Sequence, residues 1–170
     1  YTIEKKINFK FTHDTDRLDV WFDPDKLDKI LFNLLSNAFK FTPEKGTIEL
    51  NVTSESHYGE KADSEQDYLK ISITDTGKGI PETDLPSLFD RFYQGNIKST
   101  LQQGSGLGLS LTRNFVETHS GKIEVTSSDA GTRFEIYLPK GDAHLSEDQK
   151  HTPDSPGVNK YIHVSPQITT

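Results

Sequence analysis

The sequence predicts an α+β sandwich, with helices layered on one face of a mixed sheet. Three observations predict it: six short runs alternate apolar and polar residues, two longer stretches repeat apolar residues at helical spacing, and the segments run strand, strand, helix, strand, strand, helix, helix, strand, strand. At 170 residues the chain is long enough for one domain with a real core.

Residues 7–12 (INFKFT) and 18–22 alternate and are read as two opening strands. Asp23 before Pro24 is an N-cap with proline at the first helical position. Leu27, Ile30, Leu31, Leu34, Leu35 and Ala38 then repeat at helical spacing until Pro43 and Gly46 end the helix. Residues 47–53 (TIELNVT) and 69–74 (LKISIT) alternate like half-buried strands, and the polar run 54–67 between them is read as a mobile hairpin insertion. A turn (DTGKGIP), a short helix over 82–89 and a flexible polar lid over 95–105 follow. A second long helix over 107–119 closes at Gly121, and strands 122–128 and 132–139 meet at a tight turn around Asp129 to Gly131. Residues 1–140 form the domain. The Pro-, Ser- and Asp-rich remainder, 141–170, reads as linker or tail, with YIHV near its end able to add an edge strand to this or a neighbouring molecule.

Composition narrows the function. Charged residues make up 26% and hydrophobic residues 32%, and no apolar run approaches the ~20 residues of a membrane-spanning helix. A net charge of −7 without a Lys/Arg cluster argues against a nucleic-acid surface. With no cysteine there are neither disulfides nor thiolate metal sites, which suits a reducing compartment. The start at Tyr1 and the absence of methionine read as a piece of a longer protein.

Four motifs carry chemistry. In NLLSNAFKFT, a step of about 100° per residue puts Asn33, Asn37 and Lys40 on one stripe beside the apolar face of the first helix. Asparagine inside a helix needs a local reason. Taken alone, the pair reads first as bonded to a neighbouring backbone, with the lysine on the solvated rim; the other motifs shift that reading. In DTGKGI, Asp75 ends a strand, so its carboxylate can accept from an amino group while the glycines let backbone approach a flat ligand. GSGLGL leads glycine-rich backbone into a helix N-terminus, which favours phosphate, yet it is neither a P-loop nor a dinucleotide fingerprint. FDRFY places aromatics around Arg91 just before the lid, where they can also anchor the loop to the core.

Together, NLLSNAFKFT, DTGKGI, FDRFYQ and GSGLGLSL, followed by GTRFEIYLP, resemble the catalytic and ATP-binding domain of sensor histidine kinases over residues 1–139. The resemblance implies a GHKL-type two-layer α/β sandwich that holds ATP and Mg²⁺ between the first long helix and a flexible lid. It makes Asn37 the metal-binding asparagine with Asn33 as helper, Lys40 the lysine facing the phosphates, and Phe41 the aromatic beside the adenine. Asp75 would receive the adenine amino group in a pocket shaped by Gly77, Gly79 and Ile80. Gly104, Gly106, Leu107 and Gly108 match the lid hinge and phosphate loop, Arg91 a phosphate contact at the lid base, with Phe92 beside it, and Thr132 a water-mediated adenine neighbour. The turn of residues 128–131 before Thr132 departs from the family in looking shorter than its usual two-glycine version.

GHKL members that hydrolyse ATP carry a glutamate four residues before the metal-binding asparagine. Here that position is Asn33, whose amide cannot take a proton from water. The resemblance therefore implies transfer of the γ-phosphoryl group to a histidine on a separate, upstream dimerisation domain. His13 is the only histidine followed by an acid, but it lacks the amphipathic helix such an acceptor needs; the remaining histidines read mostly as solvated surface residues. The resemblance further implies a cytoplasmic domain of a membrane-anchored sensor and a response-regulator receiver domain as partner, fused downstream in hybrid kinases. The rival reading is a nucleotide-sensing regulatory module of the same fold without catalysis.

Overall fold

The computed structural model describes residues 5–14, 20–56, 67–93, 106–146 and 162–164. Five strands form one sheet in the order β1-β3-β4-β6-β5: β1 (Asn8–His13), β3 (Thr47–Ser56), β4 (Asp67–Asp75), β6 (Gly131–Pro139) and β5 (Lys122–Ser128). β1 runs parallel to β3 and the other neighbours are antiparallel, so the sheet is mixed as expected. Helices α1 (Pro24–Phe41) and α2 (Gly108–Thr118) pack on one face. Side-chain alternation sorts the layers: Ile48, Leu69, Ile71, Ile73, Phe134, Ile136 and Leu138 form a buried core with Ile30, Leu34 and Ala38 of α1 and Val116 of α2. The other face carries Glu49, Asn51, Lys70, Ser72, Arg133 and Glu135.

α1 begins where the sequence places it. The Asp23 side chain accepts from the amides of Asp25 (3.0 Å) and Lys26 (3.3 Å), with Pro24 in the first turn. Its other end has a cap that no local motif announces: the Lys5 ammonium donates to the carbonyls of Phe39 (3.1 Å), Lys40 (3.0 Å) and Thr42 (3.4 Å), a cation at the negative end of the helix dipole.

Three expectations change. β2 (Val20–Phe22) does not join the main sheet. It pairs with β7 (Ile162–Val164), which is the edge strand the tail was expected to offer, and Val20 also bridges Lys140. With Asp23 and Pro24 committed to starting α1, β2 ends at Phe22, and its buried Val20 and Phe22 join the core. The hairpin strands run further than the alternation predicts, to a Ser56↔Asp67 pair; residues 57–66 lie outside the described residues. The helix expected over 82–89 is only a 3₁₀ turn, Leu85–Ser87, within successive bonds to the third residue back. Pro86 has no N–H to donate to Glu82, which denies that helix its central bond. Beyond the expected boundary at residue 140, Leu145 still packs against the core.

Candidate functional site

β4 delivers Asp75 to the edge of the core, where it is 7% exposed. Its Oδ1 accepts from the Gly77 amide at 2.7 Å and the Thr132 amide also bonds it; Thr132 stands directly across the β4–β6 ladder. Burial pushes the carboxyl above its ordinary value, with the two amides pulling against it. A side chain on Gly77 would come within 2.6 Å of that carboxylate and 2.9 Å of the Phe41 carbonyl. Gly79 has φ +72°, and a Cβ there would overlap the Ser128 carbonyl. Ile80 N donates to Ser127 Oγ (2.8 Å), which lies 2.9 Å from Thr132 Oγ1. A buried acid, two glycines, Ile80 and two hydroxyls thus lie together, and Gly77 joins the group to the C-terminal end of α1.

From there the polar stripe runs back along α1. The Lys40 ammonium stands over the Phe41 ring, 5.1 Å from its centroid. Asn37 is half-buried and makes no side-chain hydrogen bond among the described residues. Asn33, one turn earlier, gives its amide nitrogen to Gly108 O (3.2 Å) and Thr112 Oγ1 (3.4 Å), fastening α1 to the first turn of α2. Asn33 therefore bonds a neighbouring backbone, as one reading of the pair expects, while Asn37 has an amide without a hydrogen-bond partner among the described residues.

Leu107 caps α2 and Gly108 opens it; Gly106 O accepts from Phe92 N at 2.9 Å, which brings together the segments on either side of the lid. Gly104 and the rest of the predicted lid lie outside the described residues. Of the FDRFY cluster, Phe89 does anchor to the core, meeting Phe134 edge-on at 6.4 Å. Phe92 is 70% exposed instead, and Arg91 is exposed with no partner among the described residues. The fold thus brings together Asp75, Gly77, Gly79, Ile80, Thr132 and Phe41, and separately Asn33 with Gly108. Among the described residues, no hydrogen bond or ion pair links Asn37, Lys40 and Arg91 to one another. An open groove of about 960 Å³ between α1 and α2, lined by Phe32, Leu111 and Phe115, takes only Asn33 from the predicted set.

Some residues escaped the sequence reading. Ser127 gave no signal of its own, because its role comes from standing opposite Thr132 across β5 and β6. The histidine expectation also needs correction: His119 is 2% exposed, and both ring nitrogens of His144 are buried without a hydrogen bond. His119 Nε2 accepts from Asp23 N at 2.9 Å, so Nδ1 carries the proton and donates to Phe115 O at 2.6 Å. Burial holds this imidazole below its ordinary value, the Phe115 bond pulling against it. Among the described residues no cluster of three or more His, Asp or Glu could hold a metal ion, so a cation here would rest on amide oxygens and on its ligand's own oxygens.

Comparison with known proteins identifies the family. The family described as histidine kinase-, DNA gyrase B- and HSP90-like ATPase matches residues 22–142. Histidine kinase P4 of Formosa agariphila is 34% identical over 154 residues, 88% of this chain and 10% of that protein. The autoinducer 2 sensor kinase/phosphatase LuxQ of Vibrio vulnificus is 41% identical over 159 residues, 90% of this chain and 17% of that protein. The chain thus spans a small part of the length of these relatives. The nucleotide-free catalytic domain of histidine kinase ThkA superposes with a TM-score of 0.66 at 28% identity, covering 82% of this chain and 84% of that one. The chain belongs to the histidine kinase-, DNA gyrase B- and HSP90-like ATPase family, and its fold is that of a histidine kinase catalytic domain.

Proposed function

We propose that this domain binds Mg-ATP between α1 and the lid and passes the γ-phosphoryl group to a histidine on a separate dimerisation domain. The observation that carries the reading is the continuity from the buried Asp75, through Gly77 against the Phe41 carbonyl, to the uncommitted amide of Asn37. The Asp75 carboxylate receives the adenine amino group, and Gly77, Gly79 and Ile80 shape its surroundings. Asn37 fits a magnesium ligand because its oxygen has no competing donor among the described residues, and the Asn33 nitrogen, held by Gly108, leaves its oxygen as helper. When bound, the ion would neutralise phosphate charge. Lys40, Arg91 and the amides of residues 104–108 position the triphosphate. In the transfer, the acceptor imidazole nitrogen bonds to the γ-phosphorus as its bond to the β,γ-bridging oxygen breaks, and ADP leaves with the electron pair. Asn33 offers water no base, so ATP is held until that nucleophile arrives.

The same reading places the domain in the cytoplasm under a membrane-anchored sensor; no described helix is itself long and apolar enough to cross a membrane. A response-regulator receiver domain would take the phosphoryl group onward. That ThkA forms a complex with the response regulator TrrA supports this partner. The test mixes the domain with its own upstream helical domain and γ-labelled ATP. Acid-labile, alkali-stable label on the helical domain is the expected result. Nucleotide binding without phosphohistidine would favour a regulatory module instead.

A further inference from the structure

Several described lysines have oxygen partners for their ammonium groups. Lys5 caps α1, Lys26 meets Asp23 at 3.1 Å, Lys70 meets Glu135 at 3.0 Å, and Lys122 meets Glu124 at 2.7 Å. Lys40 and Lys78 belong with the lysines that reach no carboxylate or carbonyl among the described residues, and what sets them apart is that both converge on one aromatic ring. Their ammonium groups lie 5.1 Å and 6.0 Å from the Phe41 centroid. Although the chain carries a net charge of −7, neither of these two cations at one ring has a counter-charge among the described residues. Attraction to the half-buried Phe41 ring does not itself relieve repulsion between the two cations. A polyanion shared by both would relieve it.

Position supplies the second argument. Lys78 lies between Gly77, which touches the Phe41 carbonyl, and Gly79, which is locked against the Ser128 carbonyl. The backbone of Lys78 is therefore held close to Asp75 and Phe41, and its exposed side chain places the ammonium near the Phe41 ring. We infer that Lys78 is a second phosphate-binding cation of this site, pairing with Lys40 across Phe41 to hold the polyphosphate chain of a nucleotide whose purine sits at Asp75. The inference rests on the nucleotide site proposed above. It adds a residue that the spacing of the DTGKGI motif leaves as an arbitrary insert between two glycines.

The test compares ATP, ADP and adenosine binding by amide chemical-shift titration for wild type, Lys78→Met, Lys78→Arg and Asp75→Asn. Methionine keeps the apolar stem over Phe41 and removes the charge, whereas arginine keeps the charge. Lys78→Met is expected to weaken ATP about 5- to 20-fold, as for one lost charge-assisted contact, and ADP less, with adenosine unchanged within about twofold. Lys78→Arg is expected to stay within about threefold of wild type for ATP, and the salt dependence of ATP binding to become shallower in Lys78→Met. ATP binding by Lys78→Met equal to wild type, or an equal loss for adenosine, overturns the inference while leaving the nucleotide site intact. Wild type that binds no ATP, or Asp75→Asn that binds as wild type does, overturns the underlying site instead.

Discussion

On the proposed reading, Asp75 serves adenine recognition at a cost to stability. Burial raises its pKa, against the pull of two backbone amides, so the folded state favours the protonated acid more than the unfolded chain does. The contribution to stability is fully present below the ordinary value of 3.8 and is lost as pH rises through the raised folded value. Near neutral pH the domain therefore holds a carboxylate it would be more stable without, which is the form an adenine amino group needs. Asp75→Asn removes this titration. The wild-type-minus-variant stability, from urea midpoints, should grow as pH falls from 7 toward 4, while nucleotide affinity at pH 7 drops about tenfold or more, as for a lost charged hydrogen bond. A flat stability difference would mean that the carboxyl is not desolvated as described. Residues of this kind were legible because their demands are local: an acid ending a strand and glycines packed against backbone. Lys5, His119 and Ser127 were not. Their partners stand 34, 96 and 47 residues away, at Phe39, Asp23 and Ile80 respectively, and nothing in the surrounding sequence records such a meeting.

At the scale of elements, the joint between the C-terminus of α2 and the N-terminus of α1 is built on neutral histidine. His119 serves both helices, donating to its own at Phe115 O and accepting from the Asp23 amide beside the α1 N-cap. His144 packs near it, with Asp142 pulling its pKa up against burial; Lys26 disfavours and Asp23 favours a charge on His119. Both imidazoles sit below their ordinary 6.5, chiefly because burial penalises the cation. Their stabilising contribution is thus present above 6.5 and is lost as pH falls through the lowered folded values. Urea midpoints should fall between pH 7 and 5, and His144→Phe, which cannot be protonated, should flatten the curve. A profile unchanged by that variant would remove His144 from the joint. Elements themselves were legible where periodicity and caps agreed, as in α1. They failed where one residue overrode the pattern, as Pro86 does for the expected third helix, and where pairing was non-local, as for β2 and β7.

Across the whole molecule, α1 and α2 are fastened at two places, Asp23 to His119 at one end and Asn33 to Gly108 and Thr112 at the other. The two-layer class could be read from alternating runs, but this fastening could not. Nor could the parallel β1–β3 pair, since both depend on which distant segments become neighbours. The second fastening lies where the site meets the fold, and it qualifies the contrast with relatives that hydrolyse ATP. If Asn33 only marked the absence of a base, Asn33→Glu would supply one and ATPase activity would appear. But the Asn33 nitrogen donates to the Gly108 carbonyl, and a carboxylate has no proton to give there. It would place a negative charge against a carbonyl at the start of the helix that follows the glycine loop. Asn33→Glu should therefore loosen α2, seen as faster amide exchange over residues 109–112, and bind ATP more weakly without gaining hydrolysis. Asn33→Ala should cost only about 1 kcal/mol of stability, because Thr112 Oγ1 still donates to Gly108 O at 2.9 Å. Steady hydrolysis by Asn33→Glu with α2 undisturbed would show that the asparagine is a missing base and not a fastening.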